Sequence, residues 1–277
     1  MNNLKVFKVS VIIVAYKRDL ELENLLGAIY EQSIPIEQIE ISVVDNEGLC
    51  IKAKERYSKK VTSWISTKQN IGASAGRNLA VKAATSPYLI FLDDDGIPDK
   101  DFIQVMLTAF EENPNLIAAR GKIIALNHPL FTSAAAHYDC GSKRCNSTLD
   151  IEGATCIRKD AYELVKGYDE NIFGNEGIEL GSRLKSSIPN GKILYIPEAI
   201  FKHDLFKGII HMLSKAKRMA YSESAIHPSA LKLKNTQENK IPPLPDGRSK
   251  FQKSIGKLVI KVYKVAVLYY RKNIFQT

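Results

Sequence analysis

The 277-residue chain has little of what marks several protein classes. Its four cysteines (Cys50, Cys140, Cys145 and Cys156) lack paired C-x-x-C spacing, which argues against a zinc site or a disulfide framework. They read as free thiols in a reducing compartment, although Cys140 and Cys145 are near enough in sequence to bridge. No apolar run reaches the roughly 18 residues of a spanning helix. The first apolar stretch, Val9 to Val14, is too short for a secretory leader and leads into charged residues. A cytoplasmic location is therefore expected. Internal repeats, low-complexity tracts and nucleic-acid recognition motifs are also missing, so no nucleic acid is expected as a partner.

What remains is ordinary for a folded chain: 45% hydrophobic and 25% charged residues, enough for one α/β domain with an appendage or two small domains. The net charge of +9 points to an anionic partner such as nucleotide phosphates or an anionic membrane surface. The excess lies after Lys202, whereas a dense group of acids lies in the first half.

Those acids end the central stretch, Tyr88-Leu89-Ile90-Phe91-Leu92-Asp93-Asp94-Asp95-Gly96. The apolar run reads as a buried strand of a largely parallel sheet. Three carboxylates at its end repel one another and call for a cation. Magnesium and manganese take oxygen ligands and share them with substrate phosphates. In open α/β sheets, ligands sit beyond the carboxyl ends of the strands, where this group falls.

Around it the chain alternates strands and helices, as βαβ units do. Strands are expected over 8–15, 39–44, 61–65, 88–92, 116–126, 153–157, 192–196 and 199–202. Helices are expected over 20–32, 49–57, 74–84, 100–112, 159–166 and from 178 to 184, with Ile178 and Leu184 facing inward. Gly121 suggests a bend or bulge. Residues 127–149 lack a period and read as a loop-rich insert. A basic helix spans 207–224, a proline-containing linker follows, and 250–272 is amphipathic. In that last helix Phe251, Ile255, Leu258, Val259, Val262, Ala266 and Tyr269 form one stripe, with Lys253, Lys257, Lys264 and Arg271 away from it.

Taken together, VSVIIVAYKR (9–18), VVDN (43–46), NIGASAGRN (70–78), FLDDDG (91–96), GYDENIFGNEGIELGSR (167–183) and His203 resemble the inverting nucleotide-sugar glycosyltransferases of family 2. The resemblance implies a GT-A fold: an α/β, Rossmann-like, mixed but mostly parallel sheet flanked by helices, here with a basic helical C-terminal extension. Residues 1–224 would be the catalytic domain, with a nucleotide-binding half (8–112) and an acceptor-side half (113–224). A linker (225–249) and an amphipathic helix (250–277) would follow.

The resemblance also distributes roles. Ala15, Tyr16 and Arg18 would line the nucleotide, and Asp45 would accept from base or ribose, its alternative being a turn-forming Asx residue. Asn70 and Gly72 would let the backbone approach the nucleotide, and Arg77 would neutralise a phosphate or hold the acids. Asp93 and Asp95 match the D-x-D motif, the first meeting ribose and the second the metal. Asp94 would assist electrostatically or face away. His203 would sit near the metal and diphosphate, or be a structural hydrogen-bonding residue.

An inverting transferase needs a base on the acceptor hydroxyl. The family draws it from an E-D-x-[DE] motif, matched here by Glu176-Gly177-Ile178-Glu179, so Gly177 stands where the aspartate is expected. Glu176 is the favoured replacement, with Glu179 or another acid such as Asp169 as alternatives; otherwise Glu176 caps the helix and Glu179 pairs with Arg183. The resemblance thus implies a donor such as a UDP-sugar, a Mn2+ or Mg2+ cofactor, and a glycan or lipid-linked acceptor in bacterial surface-polymer assembly. The last helix would lie on the inner membrane face, or pack on its own domain or a second subunit. A donor-binding pseudo-enzyme is the competing reading. A nucleotidyltransferase would want a glycine-rich, lysine-bearing loop after the first strand, and AYKRD is not one.

Overall fold

The computed structural model describes residues 7–172, 174, 176–225 and 245–274. The first half runs β1 (Val9–Ala15), α1 (Asp19–Tyr30), β2 (Ile39–Asp45), α2 (Ile51–Tyr57), β3 (Ser63–Ser66), α3 (Ala73–Val81) and β4 (Tyr88–Asp93). Next come β5 (Ile97–Pro98), α4 (Phe102–Glu112), β6 (Leu116–Ile124), a short α5 (Pro129–Thr132), β7 (Cys145–Asn146), β8 (Ala154–Arg158) and α6 (Lys159–Leu164). The chain closes with α7 (Glu176–Ser187), β9 (Lys192–Lys202), α8 (Ile209–Ala225) and α9 (Lys250–Ile274). Most of the linker expected over 225–249 lies outside the described residues.

The strands form one nine-stranded sheet in the order β3-β2-β1-β4-β8-β6-β9-β5, with β7 paired to β9. The βαβ half is parallel throughout: β1 pairs with β2 and β4, and β2 with β3. The second half is mixed, because β8 runs antiparallel to both β4 and β6. Ala154 opposite Leu92 sets the start of β8 beside the end of β4, and Thr155 opposite Arg120 sets it towards the end of β6. The segment between β6 and β8 therefore stays at one end of the sheet and never crosses a face. That end carries the three acids.

Alternation within the strands divides the core. Val9, Val11, Ile13 and Ala15 join Leu22, Leu25, Leu26 and Ile29 of α1 on one face, with α2 and α4. Ile12 joins the opposite cluster with Ala80, Tyr162, Leu180 and Leu184, from α3, α6 and α7. All four cysteines are free, Cys140 and Cys145 included.

Residues 192–202 form one strand rather than two short ones. The break expected near Pro197 is a bulge instead: Gly121 faces Ile196 while Lys122 faces Ile200, so three residues of β9 have no counterpart on β6. Gly121 makes room for it, since a Cβ there would stand 2.4 Å from the Ala199 carbonyl oxygen.

The last helix packs on its own domain, one of the expected alternatives, but not through the expected stripe. α9 packs on α8 and α5, and its buried side comprises Tyr263, Ala266, Val267 and Tyr270 against Ala216, Met219 and Ala220. Phe251, Leu258, Val262 and Tyr269 stay exposed, while Ile255, Val259 and Ala266 are half-buried. The apolar positions cover more than half the helix circumference, so the single stripe divides between a protein-facing side and a solvent-facing one.

Gly121→Ala should lower stability by about 1–3 kcal/mol by forcing the bulge off β6. Urea unfolding would show a lower midpoint with an unchanged slope.

Candidate functional site

The turn after β1 is built to meet the end of β4. Val14 pairs with Asp93, and Lys17 turns the chain through a left-handed φ of 57°, bringing Tyr16 and Arg18 over the acids. Asp94 accepts the Tyr16 backbone N–H at 3.2 Å and the Arg18 guanidinium at 2.7 Å. The same Arg18 nitrogen lies 2.7 Å from Asp95 Oδ2. Asp94 therefore does not face away; it is 7% exposed and Asp95 5%.

His203 arrives from the far half of the sheet. β5, just after the acids, pairs antiparallel with the end of β9, setting Ile97 opposite Lys202. The next residue, His203, places Nε2 3.1 Å from Asp95 Oδ1, while its Nδ1 faces the Tyr138 hydroxyl at 3.4 Å. Lys207, which the sequence reading did not single out, reaches Asp95 Oδ2 at 3.2 Å. Its only signal was the rising basic charge after residue 202.

Burial pushes Asp94 up to about 6, with Arg18 opposing the rise. Burial acts in the same direction on Asp95, but His203, Arg18 and Lys207 outweigh it and hold its carboxyl well below the usual range.

The third acid has a separate partner. Arg77 on α3 places Nη2 3.2 Å from Asp93 Oδ1, so of its two expected roles the structure displays the holding of an acid. Its neighbour Asn78 fixes the opposite wall. The amide nitrogen donates to the Tyr168 carbonyl and to Glu170, each at 2.9 Å, and the amide oxygen accepts from the Tyr162 hydroxyl at 2.6 Å. Gly76, two residues earlier, lets α3 lie on β1, for a Cβ there would stand 2.7 Å from Val14 Cγ1.

The remaining expected residues lie around the ends of β1 and β2 and the start of α3. Asp45 is fully buried and accepts the backbone N–H groups of Leu49 and Cys50 at 3.1 and 3.3 Å, which is the turn-forming alternative. Ala15 is buried at the end of β1 opposite Asp45, whereas Tyr16 is half-buried with its hydroxyl 3.5 Å from Glu47. Asn70 accepts the Gly72 N–H at 2.9 Å, and Gly72, at φ 85°, opens α3 with free space around it.

α7 begins at Glu176. Its inward row is Gly177, Leu180, Gly181 and Leu184; Ile178, expected inside, is only half-buried. Glu179 is clamped by Arg183, with Nη2 to Oε2 at 2.6 Å and Nε on the other oxygen. Gly177 donates its N–H to Glu152 Oε1 at 2.9 Å. Burial raises the affinity of Glu152 for a proton; the charge of Glu176 adds to this and Arg77 opposes it.

Asp95 and His203 offer an oxygen and a nitrogen donor side by side. Among the described residues there is no group of three or more His, Cys, Asp or Glu placed to hold a metal. Two protein donors suit a hard divalent ion that takes its remaining ligands from a bound diphosphate.

Comparison with solved structures identifies the fold as GT-A. TarS 1-349 from S. aureus in complex with UDP-GlcNAc superposes with a TM-score of 0.58 at 18% identity, covering 78% of this chain and 66% of that one. The mannosyltransferase PcManGT from Pyrobaculum calidifontis, in complex with GDP-Man and Mn2+, gives 0.58 at 14% identity, covering 96% of this chain and 74% of that one. The sequence itself matches the model of glycosyl transferase family 2 over residues 10–159, and the chain belongs to that family. Among named relatives, the minor teichoic acid biosynthesis protein GgaB of Bacillus subtilis (strain 168) is 27% identical over 190 residues, 62% of this chain. The poly(ribitol-phosphate) beta-N-acetylglucosaminyltransferase TarS of Staphylococcus aureus (strain Mu50) is 26% identical over 110 residues, 38% of this chain. The matches span only 20% of GgaB and 19% of TarS.

Arg18→Met should leave Asp94 and Asp95 short of a counter-charge and cost roughly 2–3 kcal/mol at neutral pH, less than a fully buried pair because Arg18 is partly exposed. The contribution of Asp95, whose folded pKa is depressed, is present above the unfolded value near ~4 and is lost as pH falls through the folded one. Denaturation of both proteins across pH should therefore show the largest gap at neutral pH and a narrowing gap in acid.

Proposed function

We propose that the chain is an inverting glycosyltransferase that moves a sugar from a nucleoside diphosphate, UDP foremost, to a hydroxyl of a bacterial cell-wall polymer or its lipid-linked precursor. The observation that carries this reading is the acid group at the carboxyl ends of the strands, met by Arg18, Arg77, His203 and Lys207. Relatives named for teichoic acid biosynthesis and poly(ribitol-phosphate) glycosylation support an anionic polymer as acceptor. The UDP and UDP-GlcNAc complexes among structures of the same fold support the donor.

In this reading Tyr16 and the Asn70–Gly72 turn flank the nucleotide. Asp93 meets ribose and holds Arg77 in place. Asp95 and His203 would hold Mn2+ or Mg2+, which when bound stabilises the charge gathering on the departing diphosphate. Arg18 and Lys207 already lie on Asp95 and are within reach of the same phosphates, adding cationic charge without a proton transfer. The hydroxyl proton is taken by a carboxylate near the start of α7. Gly177 at the position of the family's aspartate supports a second reading, a pseudo-enzyme that binds donor without turning it over.

The solvent-facing stripe of α9 supports a membrane-surface role. Phe251, Leu258, Val262, Val265 and Tyr269 recur at steps of seven, four, three and four residues, so they share a face. Lys257, Lys261 and Lys264 are exposed beside them, and Ile210 on the neighbouring α8 is 86% exposed. No described helix is long and apolar enough to cross a membrane. An apolar row edged by lysines fits the interface of an anionic bilayer on its cytoplasmic side.

Calorimetric titration with UDP should show binding that requires Mn2+ and vanishes in Asp95→Ala. Binding in the protein as it stands, without UDP release from any UDP-sugar offered, would favour the pseudo-enzyme reading. In a flotation assay, the full chain should rise with vesicles containing phosphatidylglycerol and stay down with neutral ones. Leu258→Glu combined with Val265→Glu should abolish flotation, and no change would reject the membrane role.

A further inference from the structure

Glu152 has no counterpart among the residues expected from the family's motifs, yet it lies between them. It precedes Gly153, which is pressed so closely on Asp93 that a Cβ there would stand 1.9 Å from the carboxyl carbon. Its own carboxylate crosses to α7 and accepts the Gly177 N–H at 2.9 Å. The side chain is partly buried.

Gly177 is the position at which the E-D-x-[DE] pattern carries its aspartate. A Cβ at 177 would meet the Leu149 carbonyl oxygen at 2.4 Å and Glu152 Oε1 at 3.1 Å. An aspartate cannot enter there unless the 149–152 backbone withdraws. The glycine and the glutamate are one arrangement: without a side chain at 177, the segment closes on the helix start and delivers a carboxylate from across the cleft. The segment is itself anchored, because Asp150 pairs at 3.0 Å with the fully buried Arg120.

The other two carboxylates are less suited. Both oxygens of Glu179 are held by Arg183. Glu176 lies close enough for its charge to act on Glu152 and on Arg77. Glu152 in turn is held in place by a backbone N–H, that of Gly177.

We propose that Glu152 is the catalytic base of this chain, a role that rests on the glycosyl-transfer reading above. A lone pair of the acceptor hydroxyl oxygen forms the new bond to the anomeric carbon. The bond from that carbon to the donor's β-phosphate oxygen breaks, and its electron pair leaves with the nucleoside diphosphate. The hydroxyl proton passes to Glu152, which becomes neutral and later releases it to solvent.

The test uses the full chain, with a panel of UDP-glucose, UDP-galactose and UDP-N-acetylglucosamine and with poly(ribitol phosphate) or water as acceptor. Glu152→Gln keeps an oxygen for the Gly177 N–H, so its fold and its UDP–Mn2+ affinity should stay within about twofold. UDP release should fall by about a hundredfold or more, the scale of a lost general base. Glu152→Asp should keep part of the rate, and Glu176→Gln should keep at least about a tenth of it. Near-parental release by Glu152→Gln, loss of its UDP binding, or an equal fall in Glu176→Gln would each overturn the assignment. If the unaltered protein releases no UDP from any donor, the glycosyl-transfer reading fails and takes this assignment with it.

Discussion

Three neighbouring carboxylates at the end of a buried strand are the constraint that organises this molecule. Two of them, Asp94 and Asp95, are almost wholly removed from water, where uncompensated charge costs several kcal/mol per ion. The compensation comes from four places in the chain: the turn after β1, the first turns of α3, the end of β9 and the segment before α8. Two of these are set directly by the sheet. Parallel pairing of β1 with β4 brings Arg18, and pairing of β5 with β9 brings His203. Fold and charge balance are therefore one problem, and a sheet in another strand order would leave the acids bare.

Much of this was legible in the residues. The alternation of apolar runs with helical spacing over 8–112 gives the parallel half, and the acids after Leu92 mark its functional end. Gly121, expected to mark a bend or bulge, lies beside the three unpaired residues of β9, since a glycine inside a strand marks a bulge, a bend or a close backbone approach. What could not be read depends on contacts between distant segments. The reversal of β8 follows from where an insert without a period ends. Asp45 resembles a ligand in sequence, but becomes a turn residue once the Leu49 and Cys50 N–H groups converge on it. Glu152 lies in a stretch with no pattern, and its position acquires meaning only from Gly177, which touches it across the fold.

The insert between β6 and β8 is held by polar groups where apolar ones are scarce. Arg120, with none of its surface exposed, donates to Ser147 Oγ at 2.9 Å and to the His137 carbonyl at 2.6 Å, besides pairing with Asp150. Asp204 does the same at the near end, accepting the backbone N–H groups of Leu126, Asn127 and His128. A buried charge of this kind is costly unless every partner is in place, so it specifies one loop conformation more than it adds stability. In this chain that conformation carries Glu152 to the cleft.

The strand order also has a consequence for the chain as it is made. Residues leave the ribosome from the N-terminus, and Asp93–Asp95 emerge after Arg18 and Arg77 but long before His203 and Lys207. A nascent chain ending at residue 159 holds the whole span matched by the family, 10–159, yet lacks β9, which pairs with β5, and the residues just after it, His203 and Lys207, which are two of the three groups meeting Asp95. Its last strands would have an open edge and a partly compensated acid group until translation passes residue 207. Synthesis thus leaves the site's charge balance open until residue 207 is made, and a product shortened to the family's matched span would keep its signature without two of the groups that meet Asp95.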